Sequence, residues 1–185
     1  MKCVMMLLCV ALASCAVGMA QADQKKTVTS VMDETLSTIE RELVPAVEAM
    51  PEDKFNFAPT DGEFKGVRTF AQQAKHVAAT NYAVAAKILG EKPPVDTGGE
   101  NGPEAVKTKA DIVKFLKDSF AYAHKAVATI NEASAVTPIK NSSGEGSSTR
   151  LGLGMLFAWH GFDHYGQIVE YLRMNGIVPP ASRGN

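Results

Sequence analysis

The chain has 185 residues, a length that suits one domain with a substantial hydrophobic core. Hydrophobic residues make up 45% of it and charged residues 21%, as in ordinary globular proteins. The net charge of −1 and the single tryptophan argue against a nucleic acid or an anionic membrane surface as partner.

The first residues of the chain have the features of a secretory leader. Lys2 supplies a positive charge, Val4 to Leu12 is an apolar run, and Ala20-Gln21-Ala22 fits a signal peptidase cleavage site. The apolar run is too short to cross a bilayer as a helix. Leu12 to Cys15 also resembles a bacterial lipobox, so a lipid anchor on Cys15 is the alternative. Both interpretations predict export, to the periplasm or the medium.

The cysteines limit the chemistry of the mature protein. All three, Cys3, Cys9 and Cys15, lie in the leader, so cleavage after Ala22 leaves none. The mature chain then has no disulfide, no thiolate metal ligand and no cysteine nucleophile. We therefore expect two parts, a signal peptide over residues 1–22 and one helical domain over residues 23–185.

Four segments of the mature chain repeat their apolar residues at helical spacing, and no segment alternates as a strand does. Pro45 is expected to kink or end the first helix near Leu43–Val44. The sequence predicts an all-α four-helix bundle with a long connection between helices 2 and 3. In chain order, the predicted helices are Thr29–Met50, Thr69–Leu89, Lys109–Glu132 and Thr149–Asn175.

The connections are rich in glycine, proline and serine. Gly90 is expected to end the second helix, and the stretch from there to Lys107 is too long for a tight turn. Residues 133–148 are polar and glycine-rich and are predicted as a loop. Ser147 or Ser148 is expected to cap the fourth helix.

The fourth predicted helix carries two histidines, His160 and His164, four residues apart. On a helix this spacing places both imidazoles on one face, about 5–6 Å apart at Cβ. That face belongs to the apolar stripe, and buried imidazoles need either hydrogen-bond partners or a shared metal ion. Two hydrogen-bonded core histidines are the alternative. Gln167 on the same face and Asp163 at its edge are expected to support a ligand by hydrogen bonding.

The other two histidines lie on flanks of their helices. His76 is beside the apolar stripe of the second predicted helix, where a cleft between helices would open, although a lone histidine is more often exposed. His124 lies beside the stripe of the third predicted helix. We expect it to lie at the surface, and it is the alternative third metal ligand if His76 does not bind the ion.

The pattern H-x-x-x-H-x-G-Q, followed by L-R-x-x-G-x-V-P-P, resembles the last helix of the DinB-like metal-binding four-helix bundles. P-E-D-K-F-x-F-x-P similarly resembles the loop after the first helix of that family. The family carries a third metal histidine on its second helix, and the resemblance assigns that role to His76. It implies one divalent ion on His76, His160 and His164. Zinc is the first expectation for imidazole ligands, with nickel or iron as alternatives.

Spacing argues against other metal classes. Gly161 stands where an H-E-x-x-H protease has its glutamate, and Asp163 is a short acid for the inverted H-x-x-E-H form. None of the four histidines follows a glutamate by three residues, so the di-iron bundle pattern is missing. Three imidazoles on one ion would leave a coordination position open, as in catalytic zinc sites.

Three hypotheses about function follow. The first is an exported, metal-dependent enzyme of hydrolase or transferase type acting on an unknown small molecule. The second is a bundle that holds a metal or small ligand without turnover, and the third is a structural bundle with incidental histidines. The DinB-like family includes thiol transferases, but the intracellular thiols that they use are not expected outside the cell. The resemblance therefore does not predict the substrate of this protein. A homodimer is left open.

Overall fold

The fold was analysed in a computed structural model, which describes residues 25–60, 62, 65–140 and 147–184. The leader, including Cys15, lies outside the described residues. The predicted all-α four-helix bundle is confirmed. Its helices are α1 (Val28–Ala49), α2 (Phe70–Leu89), α3 (Lys109–Val127) and α4 (Arg150–Met174), with short 3₁₀ helices at Glu52–Lys54 and Pro180–Ser182.

The four helices enclose one hydrophobic core. Helix α1 packs against α3 and α4, and α2 packs against the same two helices from the other side. The core therefore forms between two diagonal pairs, α1 with α2 and α3 with α4. Among the described residues, no helix is both long and apolar enough to cross a bilayer. The largest fully buried aromatic side chains are Phe70, Phe120 and Phe157.

Local capping explains where α2 begins and ends. The Thr69 side chain accepts a hydrogen bond from the backbone N–H of Gln72, and the Gln72 side chain accepts one from Thr69 N–H at 2.8 Å. This reciprocal pair satisfies two N–H groups that an uncapped helix leaves unpaired. At the other end Gly90 adopts φ 73°, a left-handed conformation that glycine accepts without strain.

Some local details differ from the predictions. Pro45 was expected to kink or end α1, and the helix does not end there. It continues to Ala49, because Ala46 and Val47 are fully buried and their packing holds the last turns in place. Helix α3 ends at Val127, earlier than predicted, although Ile130 beyond it is still fully buried.

The start of α4 also differs from the prediction. The strands β1 (Pro138–Lys140) and β2 (Ser147–Thr149) pair as a two-stranded antiparallel sheet where the sequence predicted a loop, and residues 141–146 between them lie outside the described residues. Both serines expected to cap α4 belong to β2. The cap is Thr149, whose side-chain oxygen accepts a hydrogen bond from Gly152 N–H at 3.0 Å.

Two glycines let α4 approach α1 closely. A Cβ added to Gly154 would lie 1.9 Å from Met32 Cε, and one added to Gly161 would lie 2.7 Å from Ile39 Cγ1. Any larger residue would force these core side chains to move. Gly161 lies between His160 and His164 in the sequence of α4. Its close contact with Ile39 therefore helps to set the position of both histidines along the helix axis and their orientation about it.

The connection between α2 and α3 folds back onto α2. Lys75 Nζ donates a hydrogen bond to Pro103 O at 2.9 Å, and a Cβ on Gly102 would lie 2.5 Å from Lys75 Cβ. Gly102 N–H also bonds Gly99 O at 2.9 Å, which closes a tight turn. This packing brings Glu100 over the part of α2 that carries His76.

Candidate metal centre

The structure brings together three of the four histidines. His76 comes from α2, and His160 and His164 come from adjacent turns of α4. One nitrogen of each ring lies within 4.8 Å of the nitrogens of the other two, and His76 Nε2 is 3.2 Å from His160 Nε2. Two ligands at about 2.1 Å from a tetrahedral ion lie about 3.4 Å apart. The separation of His76 and His160 is close to this value, and the three histidines together could hold one ion if the widest pair of nitrogens moves closer.

A backbone carbonyl orients His76. Its Nδ1 lies 2.7 Å from Glu100 O. A carbonyl oxygen only accepts hydrogen bonds, so Nδ1 carries the proton and Nε2 keeps its lone pair. That lone pair is on the side of His160. The folded-back connection therefore selects the tautomer in which His76 can act as a ligand.

A chain of side-chain hydrogen bonds orients His164 in the same way. His164 Nδ1 donates to Gln73 Oε1 at 2.7 Å, and Gln73 Nε2 donates to Gln167 Oε1 at 2.7 Å. Gln167 Nε2 in turn donates to Asp163 Oδ2 at 3.1 Å. Because the chain ends on a carboxylate, its polarity is fixed, and His164 Nε2 is left without a proton.

The surroundings keep the imidazoles neutral. Burial, and then the neighbouring His160 and His76, lower the pKa of His164 to about 4. Burial and then His76 lower the pKa of His160 to about 4. Burial, followed by the positive charge of Arg68, lowers the pKa of His76. At neutral pH the three rings are therefore unprotonated at one nitrogen each, as metal ligation requires.

Arg68 is the cation beside the cluster. Its Nε donates to the same Glu100 carbonyl at 3.2 Å, and its Nη2 lies 2.9 Å from Glu100 Oε2. Its own carbonyl accepts a hydrogen bond from the Tyr171 hydroxyl at 2.9 Å. Arg68 is thus held at both backbone and side chain, with its charge next to His76.

The remaining sequence-predicted residues take different places. Gln167 accepts a hydrogen bond from Gln73 and donates one to Asp163, so both residues act on His164 through Gln73. His124 lies outside the cluster, between α3 and α1. Its Nδ1 is 2.6 Å from Asp33 Oδ1 and its Nε2 is 3.1 Å from Glu40 Oε2.

Sequence reasoning missed three residues of this site: Gln73, Arg68 and Glu100. Gln73 precedes His76 by three residues and shares its helix face, so a signal for it was present. Glu100 gave no signal, because it acts through its backbone carbonyl and lies in a connection without a motif. Arg68 precedes α2 and is brought to the site by its bonds to Glu100 and Tyr171.

The comparisons with known proteins agree with this geometry. The family model of the DinB superfamily matches residues 35–168, a span that contains all three clustered histidines. The chain therefore belongs to the DinB superfamily. No curated protein matches the chain. The three clustered histidines could hold a metal ion, and their chemistry fits one, since each offers an aromatic nitrogen to a common point.

Proposed function

We infer that this DinB-superfamily chain is an exported protein that binds one divalent ion through His76, His160 and His164. Zinc is the first candidate, with nickel or iron as alternatives. We further infer metal-dependent chemistry of hydrolase or transferase type on a small molecule. The observation that carries the proposal is the convergence of three ring nitrogens within 4.8 Å, two of them on rings whose Nδ1–H is already bound to oxygen.

The donor set determines what the centre offers. Three neutral imidazoles satisfy three positions and leave at least one place for water or substrate. A divalent ion there supplies Lewis acidity, polarising a carbonyl or acidifying a bound water. The chain contributes orientation: Glu100 O fixes the ring of His76, and Gln73 fixes the ring of His164. Because all three imidazoles are neutral, the protein ligands would not neutralise the positive charge of the ion, and this charge would act on an incoming group.

Metal content tests the proposal directly. The purified protein, reconstituted with zinc and desalted, should retain one ion per chain by elemental analysis. His160→Ala and His164→Ala should abolish this stoichiometry, and His76→Ala should weaken it strongly. His124→Ala is the matched control, since its ring bonds Asp33 and Glu40 instead, and it should keep one ion. Unchanged zinc in His160→Ala would reject the site.

Export is supported by the leader pattern. Mass spectrometry of protein from its native host should find a mature N-terminus at Asp23 or a lipidated Cys15. An intact Met1 on protein from the cytoplasmic fraction would reject export and leave the metal centre as a separate question.

A non-catalytic bundle that holds a metal or small ligand is the second candidate. The acidic side chains beside the cluster favour it, because both have partners: Glu100 pairs with Arg68, and Asp163 accepts from Gln167. Neither is poised to take a proton from a substrate. Cobalt-substituted protein separates the two functions. A change in its visible spectrum on adding acetohydroxamate would show an open position, as an enzyme needs, whereas an unchanged spectrum would favour the bundle without turnover.

A further inference from the structure

The three clustered histidines are not equally prepared to bind an ion. His76 and His164 each have an oxygen acceptor 2.7 Å from Nδ1. The ring of His160 differs, because within the described part of the chain its hydrogen bond is at Nε2, which lies 3.2 Å from His76 Nε2. Since no fully buried side-chain nitrogen among the described residues lacks a partner, Nδ1 of His160 is open to water.

The contact between the two Nε2 atoms places the proton of His160 in the metal-free protein. His76 carries its proton on Nδ1, so its Nε2 is an acceptor, and a second bare nitrogen at 3.2 Å would repel it. His160 therefore donates from Nε2. An ion on that nitrogen requires the opposite tautomer, with the proton on Nδ1. The ring keeps one proton in both states, so its charge does not change.

Asp163 lies where it can accept a hydrogen bond from Nδ1 of His160. It follows His160 by three residues on α4, and side chains at this spacing are neighbours that lean towards the helix N-terminus. Asp163 Oδ2 accepts from Gln167 at 3.1 Å, which leaves Oδ1 for a second donor. Burial and the charge of His76 lower the pKa of His160, and the Asp163 carboxylate opposes both, so its charge acts on this ring.

The other groups near His160 are poorer acceptors. Trp159, whose ring centroid lies 6.1 Å from that of His160, offers only a donor N–H, and the guanidinium of Arg68 is also only a donor. Glu100 is a carboxylate, but it pairs with Arg68 at 2.9 Å and favours the charged form of His160 less than Asp163 does. The remaining competitor of Asp163 is therefore solvent water.

We propose that Asp163 is a positioning residue for His160, whose proton leaves Nε2 as the centre takes up an ion and is held on Nδ1 by Asp163 Oδ1. Water accepts the Nε2 proton and supplies the Nδ1 proton, so the number of protons on the ring is unchanged. One carboxylate then orients both histidines of α4, since it also ends the hydrogen-bond chain from His164. This inference rests on the proposed function, because the tautomer changes only if an ion binds, and it deepens that function by assigning the support of the third ligand.

The test is nitrogen NMR of protein with isotope-labelled histidine, before and after zinc loading. Without metal, His160 should be the Nε2–H tautomer, and His76 and His164 should be Nδ1–H tautomers. The spectrum of His160→Gln assigns the His160 signal. After zinc loading, all three rings should be Nδ1–H tautomers, and the Nδ1 proton of His160 should exchange slowly with water because a carboxylate holds it.

Variants of α4 identify the acceptor. Asp163→Ala should remove the slow exchange at His160 and weaken zinc binding by about 10- to 100-fold. Asp163→Asn, whose amide oxygen accepts without a charge, should fall between Asp163→Ala and the native protein. Gln167→Leu breaks the bond to Oδ2 but keeps the carboxylate, so slow exchange at His160 should remain. Glu170→Gln is the matched control, because it neutralises an exposed carboxylate of the same helix that pairs with Arg173, and it should behave as the native protein.

The outcomes separate this inference from the proposed function. A native protein that retains no zinc overturns both. A zinc-binding protein overturns the inference alone if His160 has the same tautomer with and without the ion. Native zinc affinity in Asp163→Ala would also overturn it, since water would then serve equally well. Loss of slow exchange in Gln167→Leu as complete as in Asp163→Ala would show that Asp163 acts only through its bond to Gln167, which again overturns the inference.

Discussion

Gln73 provides the sharpest test of how the fold prepares the histidines. Its side chain is 3% exposed, accepts the Nδ1–H of His164 at 2.7 Å and donates to Gln167 at 2.7 Å. Gln73→Leu keeps a similar volume but removes both bonds. His164 is 5% exposed, so its N–H would lose the acceptor that Gln73 provides in a place that water hardly reaches.

The size of the effect follows from this burial. An unsatisfied buried polar group costs about 1–3 kcal/mol, so Gln73→Leu should lower the free energy of unfolding of the metal-free protein by that amount. Loss of a hydrogen-bond partner behind a metal-ligating histidine weakens metal binding by about 10- to 100-fold. Gln73→Glu should retain the native zinc affinity or raise it, because a carboxylate accepts the same N–H more strongly.

Urea denaturation of metal-free protein and zinc competition against a fluorescent chelator measure the two effects. Gln72→Ala is the control, because Gln72 caps α2 through Thr69 N–H and, among the described residues, has no hydrogen bond to a histidine. It should lower stability by about 0.5–1 kcal/mol and leave zinc affinity unchanged. Native zinc affinity in Gln73→Leu, or equally poor binding in Gln73→Glu and Gln73→Leu, would refute the role given to this hydrogen bond.

Three further predictions concern the fold and its pH dependence. Gly161→Ala should destabilise the protein by about 1–3 kcal/mol in urea denaturation, because its Cβ would lie 2.7 Å from Ile39 Cγ1; a raised Tm would contradict this. His124→Ala should lower stability by about 1 kcal/mol through loss of its two carboxylate contacts with α1, and a stability equal to the native value would contradict it. The metal-free protein should lose stability as pH falls from about 6.5, where unfolded histidines take up protons. The loss should continue to about pH 4, the folded pKa of His160 and His164, since burial disfavours the charged rings. Denaturation at pH 7, 5.5 and 4.5 measures it, and a smaller slope is expected in His164→Gln.

Features with local causes could be predicted from the sequence. The four helices follow from apolar periodicity, and the ends of α2 follow from Thr69 and Gly90, whose effects extend over a single turn. The spacing of His160 and His164 places both on one helix face before any packing is considered. The family could also be predicted from the sequence, because the motif around His160 and His164 lies in one continuous segment.

Only the tertiary structure decided how these local pieces meet. His76 by itself was a flanking histidine, and the packing of α2 against α4 brings it to 3.2 Å from His160. The acceptor for its Nδ1–H is a backbone carbonyl of Glu100, which any residue type could have supplied. Helix α1 passes through Pro45 because core burial outweighs a local penalty. Contacts between elements distant in the chain depend on how whole surfaces pack, and no short stretch of sequence encodes that.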